Sequence, residues 1–259
     1  MSFMKALSPP SKLSLARESL FWVDMLSLPS AFLTEKAKDI TDRPPVTVIP
    51  GLGASDSSMM PLRAFLKRRG YAPEGWGLGV NLGGKGKLTD LSQLSDRWAV
   101  DRDHTHKGEG EVPYMCDLMT ERVKARADDL GRPISLIGWS LGGYIAREVA
   151  RDLPNDVDRV ITMGSPVFGG PKYTSAAPLY RKRDFDLDWL ESEVLKRFDT
   201  PITQPITAIY SKRDGVVGWT AAKDNLSPNV NHIEVNCAHV AMGLNKEIWG
   251  HVLKALDAA

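Results

Sequence analysis

Gly138-Trp139-Ser140-Leu141-Gly142 sets a serine between two glycines. A serine hydroxyl is a poor nucleophile at neutral pH. It attacks a carbonyl only when an imidazole takes its proton and a third group fixes the tautomer of that imidazole. The chemistry open to Ser140 is therefore acyl transfer through a covalent intermediate, provided the chain supplies both partners. Its surroundings suit the role. Ile134, Leu136 and Ile137 form a short apolar run behind Arg132-Pro133, as a buried strand would. Ile145, Val149 and Leu153 recur at helical spacing beyond it. Strand, sharp turn and helix form the context in which G-x-S-x-G raises its serine above a sheet, with small neighbours that let strand and helix approach. The N–H of Leu141 opens the helix, where donors lack internal partners and the dipole favours negative charge. The plainer alternative is a glycine-rich turn with a serine cap.

Five histidines could serve as the base. His104 and His106 precede Ser140 in a polar loop, His232 falls within an expected strand, and His251 lies within the expected terminal helix. His239 stands just after the last expected strand and before the last helix, in Cys237-Ala238-His239-Val240-Ala241-Met242-Gly243. Parallel strands share their carboxyl edge, so that loop opens on the same side as the serine turn. Asp214 follows the strand Ile206–Tyr210, again at a carboxyl end, and is the candidate acid. An aspartate before glycine is also an ordinary turn pair. Asp184, Asp186 and Asp188 are rivals placed away from any strand end.

These residues need a frame. Pro45 to Pro50 reads as the first core strand, Met59 to Arg69 as a helix stopped by Gly70, and Tyr71 to Val80 as containing a second short strand. Strand, glycine turn, helix, strand is a βαβ unit and implies a parallel sheet. Gly51-Leu52-Gly53 in its first turn is too sparse in glycine for a dinucleotide fingerprint. It suits the second donor of an oxyanion hole, the N–H of Leu52 joining that of Leu141; an ordinary tight turn is the alternative. Asn81 to Glu111 reads as a long polar loop, Val112 to Leu130 as a helix, Val157 to Met163 and Asn231 to Val235 as strands, and Lys246 to Leu256 as the closing helix. Phe168 to Arg197 leaves this rhythm and suggests a small cap, helical from Trp189 to Phe198. The apolar stretch Leu13 to Leu33 looks helical, broken at Pro29. It could pack on the body, cover the mouth of the site or form a dimer contact, or lie on a membrane surface, although few basic residues accompany it.

Composition narrows the function classes. The 259 residues are 42% hydrophobic and 25% charged, with a net charge of +1, close to globular averages. Nothing in that balance calls for nucleic acid as a partner. Two cysteines, Cys116 and Cys237, and the lack of a secretory leader pattern point to a reducing, cytoplasmic setting. Asp101-Arg102-Asp103-His104-Thr105-His106 holds metal-ligand residue types, but no cysteine or distant histidine cluster supports a zinc site. No metal and no cofactor are expected.

Four stretches together resemble the α/β-hydrolase family, and within it the bacterial serine esterases and lipases. They are Val48-Ile49-Pro50-Gly51-Leu52-Gly53, Gly138 to Gly143, Tyr210 to Val217, and Ala238-His239-Val240-Ala241-Met242-Gly243. The order Ser140, Asp214, His239 is that of the family's catalytic triad. Many such lipases carry His-Gly before the oxyanion residue; this chain has Pro50-Gly51. The resemblance spans about residues 45 to 257. It implies an α/β fold with a mostly parallel central sheet and helices on both faces. The expected division is an N-terminal helical extension over 1–44 and a hydrolase domain over 45–259, with a cap at 168–198. The implied activity is hydrolysis of a carboxylic ester with an apolar acyl group, with Trp139 and Met242 as apolar pocket walls. Acyl transfer, lactone opening, amide hydrolysis, or a binding protein that has lost turnover are the alternatives.

Overall fold

Pro45–Ile49 is strand β1, four of its five residues fully covered by the layers above and below it. A strand buried on both faces is apolar almost throughout instead of alternating, and Val46, Val48 and Ile49 follow that rule. The computed structural model describes residues 7–26, 28–31, 43–98, 108 and 110–258. Among these, β1 joins β2 (Ala72–Gly75), β3 (Ile134–Trp139), β4 (Val157–Met163), β5 (Ile206–Ser211) and β6 (Val230–Val235) in one sheet. Its order is β2-β1-β3-β4-β5-β6, and every neighbouring pair is parallel. The chain runs outward from β1 to β2, then returns to β3 on the other side of β1. That reversal opens a crevice beyond the carboxyl ends of β1 and β3.

Helices close both faces. On one, α5 (Glu111–Leu130) and α6 (Leu141–Asp152) bury Met115, Met119, Ile145 and Val149 against Ile134 and Leu136. On the other, α4 (Met60–Arg68) and α9 (Lys246–Asp257) bury Leu62, Leu66, Trp249 and Val252 against Ile137, Ile161 and Ile209. The spacings of Ile145 with Val149 and of Ile248 with Val252 and Leu256 keep one helix face on the sheet. Gly131, in the left-handed conformation at φ 63°, ends α5 just before the serine strand.

Two regions stand outside this sandwich. Between β4 and β5 lie α7 (Ala177–Lys182) and α8 (Leu187–Lys196). The sequence predicts α8, starting two residues late, but not α7, which has no apolar periodicity to mark it. Asp186 caps α8 by accepting from the N–H groups of Asp188 and Trp189 at 3.0 Å each. The N-terminal stretch is not one helix. It breaks into α1 (Lys12–Arg17), a 3₁₀ turn (Glu18–Leu20), α2 (Phe21–Asp24) and α3 (Leu28–Ala31). Phe21, Met25 and Leu28 pack on the α4–α9 side of the core, while Leu13, Leu15, Leu20, Trp22, Val23 and Leu26 are exposed. The stretch Asp101 to His106 lies outside the described residues. No described helix is long and apolar enough to cross a membrane.

Candidate active site

The turn between β3 and α6 holds Ser140 at φ 54° and ψ −126°, a left-handed conformation costly for any residue with a side chain. The neighbouring chain holds it there. The Ser140 N–H donates to the carbonyl of Met163 at 2.8 Å, and its own carbonyl accepts from Gly143 at 3.0 Å. Gly138 is required by space: a Cβ there would strike the carbonyl of Gly142 and the Cα of Gly143. This strand and helix thus cross at backbone distance, which aims the serine side chain away from the sheet.

Asp214 follows β5, and both it and His239, which follows β6, are only 3% exposed. His239 Nδ1 lies 2.7 Å from Asp214 Oδ2, and Nε2 lies 3.0 Å from Ser140 Oγ. The other oxygen of Asp214 accepts from the N–H groups of Val216 and Val217 at 2.8 and 2.7 Å. That pair of bonds fixes the carboxylate plane and leaves Oδ2 for the imidazole. Burial disfavours a charged imidazole, but Asp214 and, behind it, Glu18 outweigh burial, so His239 holds its proton above the ordinary imidazole range. The rivals stand elsewhere: Asp186 is a helix cap, Asp188 pairs with Lys172 at 2.6 Å, and Asp184 is exposed. His232 lies in β6 and His251 in α9. His104 and His106 lie outside the described residues.

Around this line sit the remaining sequence candidates. Gly51 abuts the serine turn so closely that a Cβ there would stand 3.0 Å from Ser140 Cβ, so the turn that carries Leu52 lies against the turn that Leu141 follows. Trp139 is half-buried, donates from Nε1 to the carbonyl of His239 at 3.1 Å, and its ring lies 5.7 Å from the imidazole. Met242 has no exposed surface and packs in the core with Ile209 and Ala241, so it stands behind the histidine instead of on a pocket wall. Apolar cover at the crevice comes instead from Leu52, Leu141 and Val112, whose side chains converge over Gly83.

Sequence reasoning misses several residues that shape the site. Asn81 is fully buried, donates from Nδ2 to the carbonyl of Pro50 at 2.8 Å, and accepts at its own carbonyl from Gly53 at 2.7 Å. It clamps the Gly51 turn from outside. Gly164, with φ 57°, lies under the histidine–aspartate pair, where a Cβ would stand 2.9 Å from Asp214 Oδ2 and 3.1 Å from His239 Nδ1. Glu18 and Asp24 reach the same loops from the N-terminal segment. Their one available signal is that they are the two carboxylates in the largely apolar run from Leu13 to Leu33. A groove between β2 and α5, lined by Glu74, Leu118, Arg122 and Arg126 among others, includes none of Ser140, Asp214 and His239. Among the described residues, no cluster of three or more His, Cys, Asp or Glu could hold a metal.

Part of this chain resembles two named enzymes. Over 91 residues it is 35% identical to a pimeloyl-[acyl-carrier protein] methyl ester esterase of Edwardsiella ictaluri, covering 35% of this chain and 34% of that protein. Over 113 residues it is 33% identical to the enzyme of the same name from Methylococcus capsulatus, covering 40% of this chain and 42% of that one. The matches thus span 34% and 42% of the length of these curated relatives. Among solved structures, a hydrolase from Oleispira antarctica superposes with a TM-score of 0.54 at 10% identity, over 84% of this chain and 92% of that one. The family model for the alpha/beta hydrolase family matches residues 48–252, from β1 into α9. The chain belongs to the alpha/beta hydrolase family.

Proposed function

We propose that the protein is a serine-dependent carboxylic ester hydrolase working through an acyl-enzyme on Ser140. The observation that carries this reading is the unbroken line of bonds from Asp214 through His239 to Ser140 Oγ. His239 takes the Ser140 proton as the hydroxyl attacks the ester carbonyl, and Asp214 stabilises the imidazolium that forms. The N–H groups of Leu52 and Leu141 receive the developing oxyanion. His239 then gives its proton to the leaving alcohol, and water repeats the sequence on the acyl-enzyme. No cofactor enters these steps.

Trp139 beside the histidine, with Leu52, Leu141 and Val112 over Gly83, favours an apolar acyl group. The two methyl ester esterases matched over part of the chain support an ester over an amide as substrate. A fluorophosphonate probe tests the nucleophile: it labels Ser140 in the wild type and leaves Ser140→Ala unlabelled. Labelling of the alanine variant at the wild-type level overturns the assignment. p-Nitrophenyl esters of rising chain length then place the acyl preference. Alcoholysis of one activated ester measured against its hydrolysis separates acyl transfer from hydrolysis.

A further inference from the structure

The N-terminal segment delivers two carboxylates to the rear of the triad. Glu18, 9% exposed, accepts at Oε1 from the N–H of Gly215 at 2.7 Å and from the N–H of His239 at 2.9 Å. Its Oε2 accepts from Val240 at 3.1 Å. Asp24 accepts at Oδ2 from the N–H of Ala238 at 2.9 Å, and its Oδ1 faces Arg213 Nη1 at 3.3 Å. The four outer partners flank the catalytic residues in the chain: Arg213 and Gly215 on either side of Asp214, Ala238 and Val240 on either side of His239. The two loops also meet directly, through Asp214 and His239 and through the Cys237 N–H, which donates to Ser211 Oγ at 3.3 Å. A single carboxylate bonded to the main chain of both adds a restraint from outside the sheet.

Burying a carboxylate is expensive unless its oxygens are met by donors. Three charge-assisted N–H bonds meet those of Glu18, and each is stronger than a bond to a neutral acceptor. A clamp needed only to fasten a terminus would not have to place its charge beside the histidine.

We propose that Glu18 is a positioning residue for the triad, its carboxylate fixing the histidine loop against the acid loop from the N-terminal segment. The inference rests on the reading of Ser140, His239 and Asp214 as a triad. The same negative charge adds to that of Asp214 in favouring the imidazolium. The other groups around His239 are the Ser140 hydroxyl, the pair Arg213 and Asp24, and Cys237, whose thiol burial pushes well up and so keeps neutral.

The test uses full-length Glu18→Gln and Glu18→Ala, with Arg17→Gln as an exposed neighbour that alters charge without touching either loop. Two readouts are followed: the NMR titration of the His239 ring, and the rate at which a fluorophosphonate modifies Ser140. Glu18→Gln is expected to lower the His239 midpoint by about half a pH unit and to slow modification about tenfold. Glu18→Ala is expected to slow it about 10²-fold, the scale of loss for a misplaced catalytic group. Arg17→Gln should match wild type in both. If Glu18→Gln keeps the wild-type midpoint and modification rate and loses only thermal stability, Glu18 is a fastener and the inference falls. If Glu18→Ala does not fold, Glu18→Gln, which keeps the shape of the side chain, decides alone. If the wild type itself is not modified at Ser140, the hydrolase reading fails, and the His239 titration still decides the role of Glu18.

Discussion

The loop carrying Asp214 is held from two sides by regions that differ in how they hold it. The insertion between β4 and β5 uses main chain: Thr174 forms an antiparallel bridge with Val217, Ser175 donates to the carbonyl of Val216 at 2.8 Å, and Gly218 donates to that of Tyr173 at 2.9 Å. Its far end is fastened by Arg197, which reaches Glu148 and Asp152 at 2.7 Å each. The N-terminal segment uses side chains instead, through Glu18 and Asp24. Main-chain bonds constrain shape and tolerate changes of residue type, whereas a bond through one carboxylate depends on that residue alone. The insertion therefore holds the acid loop by geometry and the N-terminal segment holds it by charge.

The sharpest way to break this comparison is to remove the charge that both regions surround. Asp214→Asn should lower kcat about 10⁴-fold with the fold retained, because the amide favours the wrong histidine tautomer and offers no charge to the imidazolium. Near wild-type turnover would mean that another group serves as the acid. Arg197→Ala tests the insertion's anchor. Arg197 and Arg151 together outweigh the burial that opposes charge on Glu148 and hold its carboxyl below the usual range. Without Arg197, Glu148 keeps only Arg151, and stability should fall by about 3 kcal/mol in chemical denaturation, the low end for breaking a buried pair. A loss under about 0.5 kcal/mol would reduce that anchor to an ordinary surface pair.

A smaller effect sharpens the electrostatic half. Only neutral imidazole accepts the serine proton, and His239 is held above the usual imidazole range. The acid limb of kcat/KM, which reports the free enzyme, should therefore have its midpoint above about 6.5. A midpoint below that value would mean that burial outweighs the carboxylates. The smallest expected change comes from Asp184→Asn, Asp186→Asn and Asp188→Asn, each of which should keep esterase turnover within about twofold of wild type. Asn caps a helix about as well as Asp, so α8 should survive the second of these.

The difference between the two regions also explains what was legible beforehand. Ser140 could be read because the glycines around it and the apolar run before it record a backbone crossing that admits few alternatives. Asp214 and His239 could be read from position, since a parallel sheet brings the ends of β5 and β6 to the edge where β3 ends. Five of the six strands followed from their apolar residues; β2, Ala72–Gly75, has no apolar run and was placed within Tyr71 to Val80 only by the strand–helix–strand rhythm. Glu18 and Asp24 follow no period, because what selects them is the pair of loops they meet roughly 200 residues later in the chain. The apolar stretch reads as a helix broken at Pro29, whereas the acids turn inward, six large apolar side chains turn outward, and the segment breaks earlier, into short pieces of which the last, Leu28–Ala31, runs through Pro29. Asn81 was hidden for a similar reason: a lone polar residue in a polar stretch does not announce that it is buried. Met242 erred the other way, its apolar character fitting a pocket wall and a core position equally well.

The bonds at Glu18 also bear on how this edge of the molecule opens. The N–H groups of Gly215, His239 and Val240 lie outside the helices and strands, and each has Glu18 as its acceptor. Their protection from hydrogen exchange with solvent is therefore not inherited from the sheet. Were the N-terminal segment to lift away, all three amides would lose their acceptor together while β5 and β6 stayed paired, which hydrogen exchange would read as an opening below global unfolding. The edge that carries Asp214 and His239 is thus expected to open on its own, as firmly as one short segment is seated and separately from the six-stranded core.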